Sequence, residues 1–397
     1  MGQEQTGEEP QDDTGQQRQG QRWLGWRRVL VGCVLGVLLA GLGWHFAHLW
    51  VPGAVNVVRE LPGVGFGRMH RFEQRVFGAV DAVRRAFGPE AASGVTPRPP
   101  ERALAGLWPP APLQPALDGA AADGEGLWSA ASSRCRSDAA MVRTTLRVDP
   151  ERPDIDVIMV SMDLRRLGVG FVPGRADGGP EAGRLPPERA PSIVATFNGG
   201  FQTPHGGFGM GVQGQEVVAA LDAMATLVSD KEGRLWAGQW PPPEGVEPWW
   251  WRQNLPPLWD GQTIRDRPTI EVKGRRELIG HSITRRSGVC VRPPFELVYM
   301  WTLRGRALAL GRAMEAAGCA WGMHLDTNAY HTSFEFVDLG QATRDGEGRW
   351  SGACTERLTP RMKDNPPGRY LKPHDRDFFY VYERSEVLDS PLWPVQR

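Results

Sequence analysis

Between Pro191 and Gly214 the chain reads PSIVATFNGGFQTPHGGFGMGVQG, and this stretch constrains the fold more than any other. Ile193 to Phe197 is a short apolar run of β-formers and reads as a buried strand. The run breaks at Asn198-Gly199-Gly200, a turn signal because both residue types tolerate positive φ. Phe201 anchors the chain after the turn, and a second glycine-rich run follows at Gly206, Gly207, Gly209, Gly211 and Gly214. Glycine at that density lets backbone approach backbone, or backbone approach a ligand. Two readings follow. One is a tight turn leading into a bulged strand; the other is a binding site led by Asn198 at the tip of a core strand.

The 397 residues suffice for two or three average domains, and the formal net charge of +0 gives no argument for a nucleic-acid partner. Residues 1–28 are rich in Gln, Glu, Asp and Gly and are expected to form a disordered cytoplasmic tail. Residues 29–50 read VLVGCVLGVLLAGLGWHFAHLW, without a formal charge, which is enough to span a bilayer as a helix. Arg22, Arg27 and Arg28 precede this segment, and Trp23, Trp26, Trp44 and Trp50 flank it. The positive-inside rule then places the N-terminus in the cytoplasm and the remainder outside, as a single-pass protein of the inner membrane with a periplasmic domain. A cleavable signal peptide is the competing reading of the same segment.

Residues 51–116 are expected to hold an amphipathic helix, Met69 to Phe87, and a proline-rich linker with seven prolines between Pro97 and Pro115. The folded domain is expected over residues 117–397. Its pattern is mainly strands, near Ile155–Ser161, Leu167–Val172, Ile279–Thr284, Val289–Val291, Phe295–Leu303, Cys319–Leu325, Thr332–Leu339 and Phe378–Tyr382, with a hairpin of Ala223–Ser229 and Leu235–Trp236 turning at Asp230 and Gly233. A helix over Arg304–Ala317 carries Leu308, Met314 and Ala317 on one stripe and stops at Gly318. The class expected is α+β, a strand-rich mixed sheet with a few packed helices behind one N-terminal transmembrane helix. Trp236 to Gly261 holds six of the sixteen tryptophans among many prolines, and reads as an irregular lobe that covers a sheet or stacks on sugar.

Cys33 lies in the apolar span. Cys135, Cys290, Cys319 and Cys354 fall on the side where disulfides persist, and four cysteines allow three pairings. His324 and Asp326 are two apart and share a strand face. With His331 they could bind a divalent metal ion.

Three ordered segments resemble the phosphodiester glycosidase family. The first is ATFNGGF with GGFGMGVQG. The second is Arg285-Arg286-Ser287-Gly288-Val289. The third is the Arg304–Gly318 helix followed by a strand ending at Leu325-Asp326. Where the family continues D-G-G-G-S, this chain has Asp326-Thr327-Asn328-Ala329-Tyr330-His331-Thr332. The resemblance implies a hydrolase that cleaves a sugar–phosphodiester bond in a phosphorylated, cell-envelope or exopolysaccharide glycan. It implies Asp326, Asn198 and Arg286 as the catalytic set. Gly199, Gly200, Arg285, His205 and His331 would lie along the substrate, with arginine matching phosphate bidentately. Two other functions remain open on the same fold: a non-catalytic glycan-binding module, which the replaced glycines favour, and a divalent-metal hydrolase.

Overall fold

Among the described residues the strands pair into three large antiparallel sheets and two two-stranded ones. The computed structural model describes residues 108–395, apart from 120, 132, 136–139, 273–274, 279, 281–282, 329 and 363–365. The chain divides into two compact units, Met1–Glu73 and Gln74–Arg397, and all described residues lie in the second. The expected tail, the apolar span with Cys33 and the Met69–Phe87 helix lie outside the described residues. Among those described, no helix is long and apolar enough to cross a membrane.

The first sheet has six strands in the order Ser129–Ala130, Met141–Arg147, Asp156–Asp163, Glu296–Gly305, Thr284–Arg292 and Trp321–His324. The second has five, in the order Gln215–Val218, Met210–Val212, Trp250–Gln253, Ala225–Ser229 and Leu235–Gln239. The third runs Cys354–Arg357, Phe334–Asp338, Ile193–Asn198, Phe378–Glu383 and Leu167–Val172. Strand pairing in all three is antiparallel, so the expected mixed sheet is corrected; the domain is strand-rich with few helices.

Alternation along the first sheet separates two cores. Ile158, Val160 and Met162 face a central core shared by all three sheets, with Phe197, Phe379 and Trp250. Val157 and Met159 face the other way, toward the α-helix Ala307–Ala316. That helix starts later than expected. Its buried stripe is Ala307, Leu310 and Met314 rather than Leu308, which is half-exposed. Gly318 ends it at φ +71°, and the amides of Gly318 and Cys319 bond back to Glu315 and Met314 carbonyls at 2.9 and 3.0 Å. This double capping bond needs a left-handed residue, which glycine supplies.

Two features lie outside the expected outline. Trp108 and Leu113 pack into the helix-side core, so core packing begins upstream of Leu117. The tryptophan-rich stretch is irregular only in part, because Trp250–Gln253 is the middle strand of the second sheet and Leu235–Gln239 its edge. Trp236, Trp250, Trp251 and Trp259 are all buried, and Trp249 is half-exposed. The cysteines pair as Cys135–Cys354 and Cys290–Cys319, one of the three sets open to the sequence. The first ties the segment after Ser129–Ala130 to the edge of the third sheet. The second ties the end of the helix to the strand beneath it.

Candidate functional site

Asn198 ends the strand Ile193–Asn198 in the middle of the third sheet, against the first sheet. It is 2% exposed, and its amide is fully engaged. Nδ2 donates to the Gly199 carbonyl and to Ser287 Oγ, both at 2.9 Å. Oδ1 accepts from the Ser333 amide at 3.0 Å and from the Tyr299 hydroxyl at 3.2 Å, a proton shared with the Ser333 carbonyl at the same distance. A primary amide offers two donors and two acceptor lone pairs, so its capacity is filled by protein. Burial raises the Tyr299 hydroxyl well above its ordinary range and keeps it a neutral donor.

Ser287 joins this cluster to Asp326. Its Oγ donates to the Asp326 carbonyl at 2.9 Å, and the Asp326 amide donates to the Gly199 carbonyl at 3.0 Å. The Asp326 side chain is buried as well, 5% exposed. Oδ1 accepts the Asn328 amide at 2.7 Å, closing a side-chain turn, and Oδ2 pairs with Arg376 Nη1 at 2.8 Å. Asn198 and Asp326 therefore do meet, bridged by Ser287 and Gly199.

Arg286 does not join them through its side chain. Neighbours on a strand point to opposite faces. Ser287 faces Asn198, whereas the Arg286 guanidinium, fully buried, donates to the carbonyls of Gly305 at 3.0 Å and Gly280 at 3.1 Å. Burial lowers it to about 9, which leaves it cationic at neutral pH. His324 is also fully buried, and both of its ring nitrogens lack a hydrogen-bond partner. Burial first, and the nearby Arg286 charge second, lower it to about 3.

The expected metal set is corrected by this geometry. Among the described residues no three His, Cys, Asp or Glu side chains are placed to hold a metal ion, and His324, Asp326 and His331 do not form such a group. His324 is turned into the core, the Asp326 carboxylate is engaged by Arg376, and His331 Nδ1 lies 3.4 Å from Arg369 Nη2.

The glycine turn is held by residues that sequence reasoning did not single out. The Gly199 and Gly200 amides donate to the Asp377 carbonyl at 3.1 Å and to Asp377 Oδ2 at 2.9 Å. Asp377 Oδ2 also accepts from Arg252 Nε at 2.7 Å, a pair with both side chains essentially excluded from solvent. Arg252 Nη2 donates to the Phe201 carbonyl at 2.6 Å, and Asn254 Oδ1 accepts the Phe201 amide at 3.1 Å. A side chain at position 199 would run into the Asp377 carboxylate, which is why glycine stands there. The two amides expected along the substrate are thus taken by Asp377, Gly199 by its backbone carbonyl and Gly200 by its carboxylate. A charged residue inside an apolar strand was the available signal for Arg252, and the charged triplet Asp375-Arg376-Asp377 ahead of a strand was the signal for the others. His205 ends a 3₁₀ turn, Thr203–His205, and is half-exposed, as is Arg285. The following strand, Met210–Val212, shifts register between Met210 and Gly211, so the turn leads into an irregular strand.

An open cleft of about 430 Å³ lies elsewhere, along the edge strand Leu167–Val172. Its walls include Arg184, Arg189, Lys231, Trp249, Tyr380 and Tyr382.

No family model matches this chain, and no curated protein matches it. Among solved structures, a hypothetical protein from Synechocystis aligns at TM-score 0.35 and 10% identity, covering 62% of this chain and 62% of that one. A protein from Burkholderia pseudomallei aligns at TM-score 0.30 and 10% identity, covering 57% of this chain and 74% of that one. Neither TM-score is high enough to carry an argument about fold or function.

Proposed function

We propose that this chain is an extracytoplasmic glycan-binding module, anchored to the membrane by Val29–Trp50, and that it does not turn its ligand over. The observation that carries the reading is the saturation of Asn198. Its four hydrogen bonds end on Gly199, Ser287, Ser333 and Tyr299, so none is left for a sugar or a phosphate. Two disulfides support a location outside the reducing cytoplasm. The half-exposed Trp249 and Tyr380 supply aromatic surface of the kind on which sugar rings stack.

The test uses the full chain. It is offered an α-N-acetylglucosaminyl phosphodiester in a turnover assay, and envelope polysaccharide in a co-sedimentation assay. Retention of polysaccharide without release of free sugar is the expected result. Sugar release that vanishes in Asp326→Asn would overturn it.

That second outcome would select the hydrolase implied by the phosphodiester glycosidase resemblance. One observation favours it: Asp326 and Arg376 form an ion pair beside the Asn198 cluster, a carboxylate and a guanidinium of the kind that serve a reacting sugar phosphate.

A further inference from the structure

Resting on the binding-module reading, we propose that the cleft along Leu167–Val172 is the ligand site, and that it takes a saccharide bearing a carboxylate or phosphate group.

The cleft is built around two aromatic–cation pairs from separate segments. The Arg189 guanidinium lies over the Tyr382 ring, 4.5 Å from its centroid. Lys231 lies 5.3 Å from the centroid of Trp249. Neither cation has a carboxylate partner among the described residues, whereas Asp230 in the same wall is already paired with Arg234 at 2.7 Å. Cations held over rings are positioned by the ring face and keep their hydrogen-bond donors for another partner. An anionic substituent is the partner that fits them.

The floor fits a flat apolar ring face. Gly168 and Gly170 on the edge strand lie directly under Tyr382 and Tyr380, since a Cβ at either glycine would run into the ring. The two tyrosine rings therefore lie flat on the strand. Tyr382 is capped by Arg189, and Tyr380 remains half-exposed in the cleft. A pyranose stacks on such a ring through its C–H face. Glu181 and Glu188, both exposed in the cleft wall, can accept sugar hydroxyls. The local clamps, not the net charge, are what select the anion.

The edge strand invites a rival, a peptide added as a further strand. The Val169 carbonyl is already taken by Trp250 Nε1 at 3.2 Å, which interrupts the row of groups that an added strand would need. A saccharide needs no such row.

The test is isothermal titration of the full chain with trigalacturonate, with glucose 1-phosphate and with neutral maltotriose. Binding of at least one anionic sugar is expected, at least tenfold tighter than maltotriose. The two anionic probes separate carboxylate from phosphate. Arg189→Gln combined with Lys231→Gln should weaken that binding about tenfold or more, the loss of one or two charge-assisted contacts, with thermal melting unchanged. Hydrogen exchange on the unaltered chain gives an independent readout: protection should appear over residues 184–189 and 229–233. No heat with either anionic sugar at millimolar concentration, equal affinity for maltotriose, or protection elsewhere would overturn the proposal. If envelope polysaccharide is still retained by the double variant, the binding-module reading stands and the cleft assignment falls.

Discussion

Arg286 and Ser287 are adjacent in sequence and serve opposite faces of one sheet. The guanidinium of Arg286 is spent on the carbonyls of Gly305 and Gly280, on the helix side. The hydroxyl of Ser287 bridges Asn198 to Asp326 on the other. The arginine expected at the phosphate is thereby a structural residue, and the serine beside it holds the polar cluster together.

Asn198→Ala should act on stability first. It removes the acceptor of the buried Ser333 amide and one partner each of Ser287, Tyr299 and the Gly199 carbonyl, which keep the Asp326 carbonyl, the Ser333 carbonyl and the Asp326 amide respectively. We expect a loss of about 1–3 kcal/mol in urea unfolding, the range for stranding a buried polar group. A variant as stable as the parent would mean that the amide is not structural.

Breaking the buried Arg252–Asp377 pair should cost more than any surface ion pair. Asp377→Ala strands a guanidinium that is wholly excluded from solvent and releases the Gly200 amide. The expected loss is about 3–5 kcal/mol. Arg175→Ala, which breaks an ion pair more than half exposed on both sides, is the control and should change stability little.

Two buried groups contribute to the pH dependence with opposite sign. His324 falls from 6.5 to about 3 on folding, so its contribution is complete above pH 6.5 and is lost as pH falls toward 3. Glu335 rises from 4.5 to about 7, so its contribution is complete below pH 4.5 and is lost as pH rises toward 7. Glu335→Gln keeps an acceptor for the Gly368 amide and removes the buried charge. It should be the more stable protein at pH 8, by about 2–3 kcal/mol. His324→Leu should flatten the acid limb. Urea midpoints at pH 4, 6 and 8 check both, and an unchanged pH profile in either variant contradicts its assignment.

The two disulfides should contribute unequally. Cys135–Cys354 spans 219 residues and Cys290–Cys319 spans 29. Chain-entropy reasoning gives about 5 and about 4 kcal/mol respectively. Paired Cys→Ala variants followed by denaturant unfolding measure each. Peptide mapping under non-reducing conditions should recover these two links and neither alternative set.

Much of the outline was legible in the chain itself. Leu167–Val172 matches the expected strand end to end, and Ile193–Asn198 and Phe378–Glu383 extend theirs by one residue. These segments are apolar, β-branched or aromatic, and bounded by turn residues, so local patterning suffices. The helix stop at Gly318 was legible because the capping bonds demand a left-handed residue at that point. The Trp250–Gln253 strand was not, since prolines on both sides and an arginine within it obscure the pattern.

The sequence by itself determined many of the strands, where the glycine turn falls and that Asn198 stands at the tip of a core strand, because these follow from periodicity and local backbone sterics. Only the tertiary structure decided what those tips face. Strand alternation sent Arg286 away from Asn198, and long-range pairing brought Asp377 under Gly199 and Gly200 and Arg376 onto Asp326. It also set Tyr380 and Tyr382 flat on the glycines of an edge strand more than 200 residues earlier in the chain. Hydrogen-bond partners far apart along the chain depend on sheet order and register, and no local pattern encodes either.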